Sequence, residues 1–162
     1  MKKLILVRHA KSSWKFNVID HERPLNSRGL SDSSLIASHL ESKKITADLV
    51  IISDAIRTKL TSEIILSKLK INKENVFFNH ELYDFSGSNL TQVIKDCDHK
   101  VKTLMIFGHN HAITAFVNTY GDAFIENVPT CGVVIIEFNI DRWENLNQGK
   151  TIETIFPKDL RD

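Results

Sequence analysis

Leu4-Ile5-Leu6-Val7-Arg8-His9-Ala10-Lys11 is the stretch on which the reading of the fold turns. Four apolar residues in a row, without alternation, suit a strand buried on both faces, and such strands belong to parallel sheets covered by helices. The run stops abruptly at an arginine and a histidine. In open α/β sheets ligands bind beyond the carboxyl ends of the strands, so these two residues sit where chemistry is expected.

The same pattern recurs along the chain. Leu49 to Ile52 and Thr103 to Phe107 repeat the apolar run, Val76 to Phe78 is a shorter candidate, and Gly132 to Phe138 and Thr151 to Phe156 predict two more strands. Polar Asp141 to Lys150 separates the last two, which predicts a hairpin. Between the runs, Arg28 to Ser42, Ala55 to Leu69, Asn89 to Asp96 and His111 to Asn118 carry apolar residues at helical spacing. Ser86 or Ser88 is the expected cap of the third helix. This alternation predicts a three-layer α/β/α sandwich, with a mainly parallel sheet and helices on both faces. With 162 residues and no linker or repeat, a single domain over 1–162 is expected.

Composition narrows the function. A net charge of +1 gives no general attraction to nucleic acid or to a membrane surface, so an anionic substrate must be held by a local cluster of cations. Cys97 and Cys131 lie in no metal or redox spacing and are expected to be free thiols. The basic, apolar start is cut short by Arg8-His9 before it could form a leader's core, and no run approaches the ~20 residues of a membrane span. The expectation is a soluble, cytoplasmic protein.

After the strands come Arg8-His9-Ala10-Lys11, then Ser53-Asp54-Ala55-Ile56-Arg57-Thr58, then His80, Glu81 and Asp84, and finally Gly108-His109-Asn110-His111. Arginine forks, an imidazole and an acid are what an anionic tetrahedral substrate requires. A neutral histidine whose other nitrogen is held by an acceptor can attack phosphorus. An arginine at a helix N-terminus, as Arg57 would be, opposes the helix dipole, which favours a functional reason for it. His109-x-His111 has a spacing that can hold zinc, but the neighbouring arginines oppose a cation, so no metal and no cofactor is expected.

Leu6-Val7-Arg8-His9-Ala10, Ser53 to Thr58 and Gly108-His109-Asn110, in that order, resemble the histidine phosphatase superfamily, which includes the phosphoglycerate mutases. Asp20 to Gly29, with its Arg-Pro-Leu and Arg-Gly steps, Val128 to Gly132 and Phe156-Pro157-Lys158 are similar to its SixA-type phosphohistidine phosphatase branch. The resemblance implies a phosphoglycerate-mutase-like fold. It implies that His9 accepts the phosphoryl group, that Arg8 and Arg57 clamp phosphate, and that His109 hydrogen-bonds the transferring group. Ala10 stands where most of the superfamily has glycine, and Lys15 stands where the mutases have asparagine. Glu81 lies about where many members keep a general acid; Asp84, or no dedicated acid, are the alternatives.

Arg23 and Arg28 could extend the positive surface toward a partner, or Arg28-Gly29 could simply shape a turn. The implied function is hydrolysis of phosphohistidine in a phosphorylated protein domain. The alternatives are a phosphatase of small phosphorylated substrates, a non-catalytic phosphate-binding module and, more remotely, a mutase. A mutase needs a lid that excludes water, and the chain has no long insertion to build one.

Overall fold

In the computed structural model, residues 1–161 are described. The strands are β1 (Lys2–Arg8), β2 (Leu49–Ile52), β3 (Val76–Phe78), β4 (Thr103–Gly108), β5 (Val133–Phe138) and β6 (Lys150–Ile155). The helices are α1 (Ser27–Ser42), α2 (Ile56–Leu66), α3 (Ser88–Lys95), α4 (Ala112–Tyr120) and α5 (Pro157–Leu160). One sheet joins all the strands in the order β3-β2-β4-β1-β5-β6. The pairs among β3, β2, β4 and β1 are parallel, whereas β5 is antiparallel to both neighbours. The chain is thus an α/β sandwich with a mainly parallel sheet and a C-terminal hairpin.

Strand period two divides the core. Ile5 and Val7 of β1, Met105 and Phe107 of β4, and Val133 and Ile135 of β5 face Ile36, Leu40 and Ile65 of α1 and α2. Leu4, Leu6, Leu104, Ile106, Val134 and Ile136 face the other way, against Leu90 and Ile94 of α3 and Ile113, Phe116 and Val117 of α4. β1 and β4 lie innermost, so the residues that follow them leave from the best-buried part of the sheet. β3 differs from the inner strands. It is an edge strand, with Phe77 and Phe78 more than half exposed.

Two local features differ from the sequence expectation or sharpen it. The cap of α3 is Gly87, not Ser86 or Ser88. Gly87 takes φ 112°, a left-handed turn suited to glycine, and the helix's free N–H groups go elsewhere: Asp84 accepts from Gly87 and Leu90 at 3.1 and 3.0 Å. An ionised carboxylate is a stronger acceptor there than a serine hydroxyl. The second feature is Gly29, in the first turn of α1, which Asn26 caps by accepting from the Gly29 N–H at 2.8 Å. A Cβ on Gly29 would lie 2.1 Å from the carbonyl oxygen of Lys11, two residues beyond His9. Gly29→Ala is therefore expected to lower stability by roughly 1–3 kcal/mol, read as a reduced urea midpoint at unchanged m-value.

Candidate active site

Three segments meet beyond the carboxyl ends of the inner strands because the ladder continues into them. The His9 N–H donates to Gly108 at 3.1 Å, Arg8 N–H to Gly132 at 3.0 Å, and Ser53 N–H to Phe107 at 3.0 Å. Arg8, His9, Arg23 and Arg57 open onto one cavity of ≈ 450 Å³, together with Asp20 and Trp14. His109 is buried behind them, its ring centroid 5.2 Å from that of His9. A somewhat larger hollow of ≈ 580 Å³, around Cys97, Asp98 and His99, lies toward the opposite end of the sheet, just before β4 begins.

His9 is 7% exposed, and its Nδ1 lies 2.7 Å from the Ala10 carbonyl. A carbonyl can only accept, so Nδ1 carries the proton and Nε2 keeps its lone pair. Burial lowers the His9 pKa from 6.5 to about 3; the bond to Ala10 works against this, and the charges of Arg57, Arg8 and Arg23 add to it. The ring is neutral at neutral pH. Because the folded pKa lies below the unfolded value, the unfolded chain binds the extra proton between about 3 and 6.5. Stability gained from the neutral ring is present above pH 6.5 and is lost progressively as the pH falls toward 3. Proton NMR is expected to show no titration of the His9 ring between about pH 5 and 8, the window in which an ordinary histidine titrates.

Arg57 is 2% exposed, in the first turn of α2. Its guanidinium donates to the Asp20 carbonyl at 2.8 Å and to Asp20 Oδ2 at 3.0 Å. Asp20 Oδ2 also accepts from the Tyr83 hydroxyl at 2.6 Å, and Oδ1 from Arg23 Nε at 3.0 Å. Partial burial would raise the Asp20 pKa, but these bonds from Tyr83, Arg57 and Arg23 outweigh it and hold the carboxyl well below the usual range. Across the cavity, Arg8 Nη1 donates to Val128 O at 2.8 Å, from the turn that leads into β5. Burial, and then the charge of Arg57, lower the Arg8 pKa. One buried guanidinium, Arg57, and one half-buried, Arg8, that repel each other favour an anion between them.

His109 Nε2 lies 2.7 Å from Ser53 Oγ. With the serine hydroxyl donating, the ring proton resides on Nδ1. Burial lowers the His109 pKa to about 2, helped by His9 and Arg57 and opposed by Asp20. Among the described residues, the buried side-chain nitrogens without a hydrogen-bond partner are Arg8 Nε, Arg57 Nε and His109 Nδ1. Unpaired buried donors are costly and rare, and here all of them belong to residues grouped around His9.

The acid candidates do not join this group. Glu81 is exposed in the 3-10 turn His80–Leu82, which directs Leu82 into the core; its side chain lines a separate hollow with Asn79 and Asn89. That placement keeps Glu81, the residue expected as general acid, out of the cavity that holds His9. Asp84 is spent on capping α3, and although burial opposes it, the bonds from Leu90, Gly87 and Ser86 lower its pKa. Glu81→Gln is expected to leave kcat/KM unchanged, whereas Asp84→Ala costs about 1–2 kcal/mol of stability, like loss of a helix cap.

Arg23 reaches the cavity, with Trp14 stacked on its guanidinium at 3.5 Å. Arg28 does not: it is exposed and lies 3.5 Å from Asp32 of its own helix. Lys15 is exposed outside the cavity lining, and His111 is exposed. His109 and His111 belong to no cluster of three ligating side chains among the described residues. Both cysteines are free, Cys131 buried. Asp20, Tyr83 and Ser53 were not singled out from sequence, because their partners Arg57, Asp20 and His109 are remote along the chain.

The pattern of the histidine phosphatase superfamily (branch 1) matches residues 4–90. An uncharacterized chloroplastic protein of Arabidopsis thaliana is 29% identical over 152 residues, 88% of this chain and 69% of that one. An uncharacterized protein of Mycobacterium tuberculosis is 26% identical over 153 residues, 88% of this chain and 93% of its own length. In three dimensions the chain is similar to the protein histidine phosphatase SixA complexed with tungstate, with TM-score 0.79 and 19% identity over 98% of this chain and 99% of that one. The matched segment holds β1 from Leu4 onward, with Arg8 and then His9, and the first turn of α2 that carries Arg57. The chain belongs to the histidine phosphatase superfamily.

Proposed function

We propose that this chain is a phosphatase that hydrolyses phosphohistidine in proteins through a covalent phosphohistidine on His9. The observation that carries the reading is the set of unpartnered buried nitrogens on Arg8, Arg57 and His109, gathered around a neutral imidazole. Three such donors suit the oxygens of a phosphoryl group and strengthen as charge develops on them. The oxyanion named with the SixA structure, tungstate, is consistent with a site of this kind.

In the first step the His9 Nε2 lone pair forms a bond to phosphorus while the bond from phosphorus to the substrate nitrogen breaks. A substrate imidazole already protonated on its second nitrogen departs neutral and takes no proton from the enzyme. In the second step water attacks the phosphorus, its proton passes to solvent, and His9 leaves with its electron pair to regenerate the neutral ring. Arg8 and Arg57 balance the phosphoryl charge throughout, with Asp20 yielding Arg57 to the substrate.

The choice of phosphohistidine over phosphate esters rests on the carboxylates. An alkoxide leaving group needs a protonated acid. The carboxylate on the cavity wall is Asp20, which its donors keep ionised. A panel that sets a phosphohistidine-bearing carrier domain beside sugar phosphates and phosphoserine tests this. The carrier domain should turn over at least ~100-fold faster by kcat/KM; equal or faster turnover of the esters would overturn the substrate assignment.

A further inference from the structure

We propose that His21, Asp54 and His80 form a site for a divalent transition-metal ion of the zinc class at the rim of the cavity. It ties the 3-10 turn Asp20–Glu22 to the ends of β2 and β3. His21 Nε2 lies 2.8 Å from Asp54 Oδ1, and His80 Nδ1 lies 3.0 Å from both Asp54 oxygens. The potential ligand atoms all fall within 4.8 Å of one another. A tetrahedral ion with bonds of about 2.0–2.1 Å needs donors roughly 3.3–3.4 Å apart, so small rotations complete the set.

The residue types fit as well. Two imidazoles and one carboxylate are an N₂O donor set that suits zinc and its neighbours and leaves a position for water. They come from three segments, brought together by the fold rather than by sequence spacing. The backbone around them is fixed: Asn79 N–H donates to Ile52 O at 2.9 Å, and Asn79 Oδ1 accepts from Glu81 N–H at 2.9 Å, holding the His80 turn. The Tyr83 ring packs edge-on against His21 with centroids 4.9 Å apart. The nearby Arg57 charge is already offset by Asp20, so it opposes a cation less than an unpaired arginine would.

This site lies outside the phosphoryl-transfer group and does not depend on the reading of His9. Its consequence is for the rim: His21 follows Asp20, the residue that holds Arg57 and Arg23, so an ion bound there would pin the turn that carries that contact.

Chelator-treated full-length protein titrated with zinc chloride by calorimetry, and with cobalt chloride by visible absorption, tests the proposal. One ion per chain is expected, with a rise in Tm. His21→Ala, Asp54→Asn and His80→Ala should each weaken zinc at least tenfold and abolish that rise, while His99→Ala and His111→Ala bind as the wild type does. The His80 side chain is 71% exposed, so its variant keeps the fold and gives a clean reading. Absence of saturable binding, wild-type affinity in the His21 and His80 variants, or binding lost instead in His109→Ala would each overturn the site.

Discussion

On the proposed mechanism, His9→Ala is expected to lower kcat/KM by roughly 10³–10⁶-fold while leaving phosphate affinity within a few-fold of wild type, because it would remove the nucleophile and keep the clamp. The substitution deletes one ring from the cavity wall and one bond to Ala10. It leaves Arg8 anchored on Val128 and Arg57 anchored on Asp20. Steady-state kinetics paired with inhibition by inorganic phosphate separate the two effects. A module that only binds phosphate would bind without loss in the variant and show no turnover in the intact protein. A catalyst shows the split, with rate lost and binding kept.

Arg57→Ala is the second large effect expected, a loss of about 10²–10³-fold in kcat/KM, comparable to losing an oxyanion donor. Two causes act together. The phosphoryl group loses a buried cation, and the Asp20 carboxylate, left to Arg23 and Tyr83, turns from a counter-ion into a charge that repels the substrate. Arg57→Ala combined with Asp20→Asn should therefore recover part of the loss. Arg57→Lys should recover little. An ammonium is a point charge without the planar fork that now spans the Asp20 carbonyl and carboxylate. The same substrate and phosphate-inhibition measurements check all three variants.

The sheet was legible because its inner strands are unbroken apolar runs, but such a run carries no alternation, so the division of Ile5 and Val7 from Leu4 and Leu6 emerged only from the packing of the helices. Residues that leave directly from those strands, Arg8, His9 and His109, were located by the same rule, and Arg57 by its anomalous place at a helix start. What sequence could not supply was the direction of side chains in the short turns. Glu81 and Leu82 are neighbours in a 3-10 turn, and burying the leucine turns the glutamate away from the cavity. Asp84 reads as an acid in sequence but is drawn to the free N–H groups of α3. Asp20 and Arg57 lie 37 residues apart, and His21, Asp54 and His80 lie on three separate turns, so neither grouping leaves a local signature.

The account stands or falls on whether phosphorus becomes bonded to the ring of residue 9. Rapid acid-free quenching of the enzyme during turnover of a radiolabelled phosphohistidine carrier, followed by peptide mapping, addresses this directly. The expected result is a label stable to alkali and lost in acid, carried by the peptide that contains His9 and absent from His9→Ala. Undiminished turnover by His9→Ala, or a label on any other residue, would contradict it.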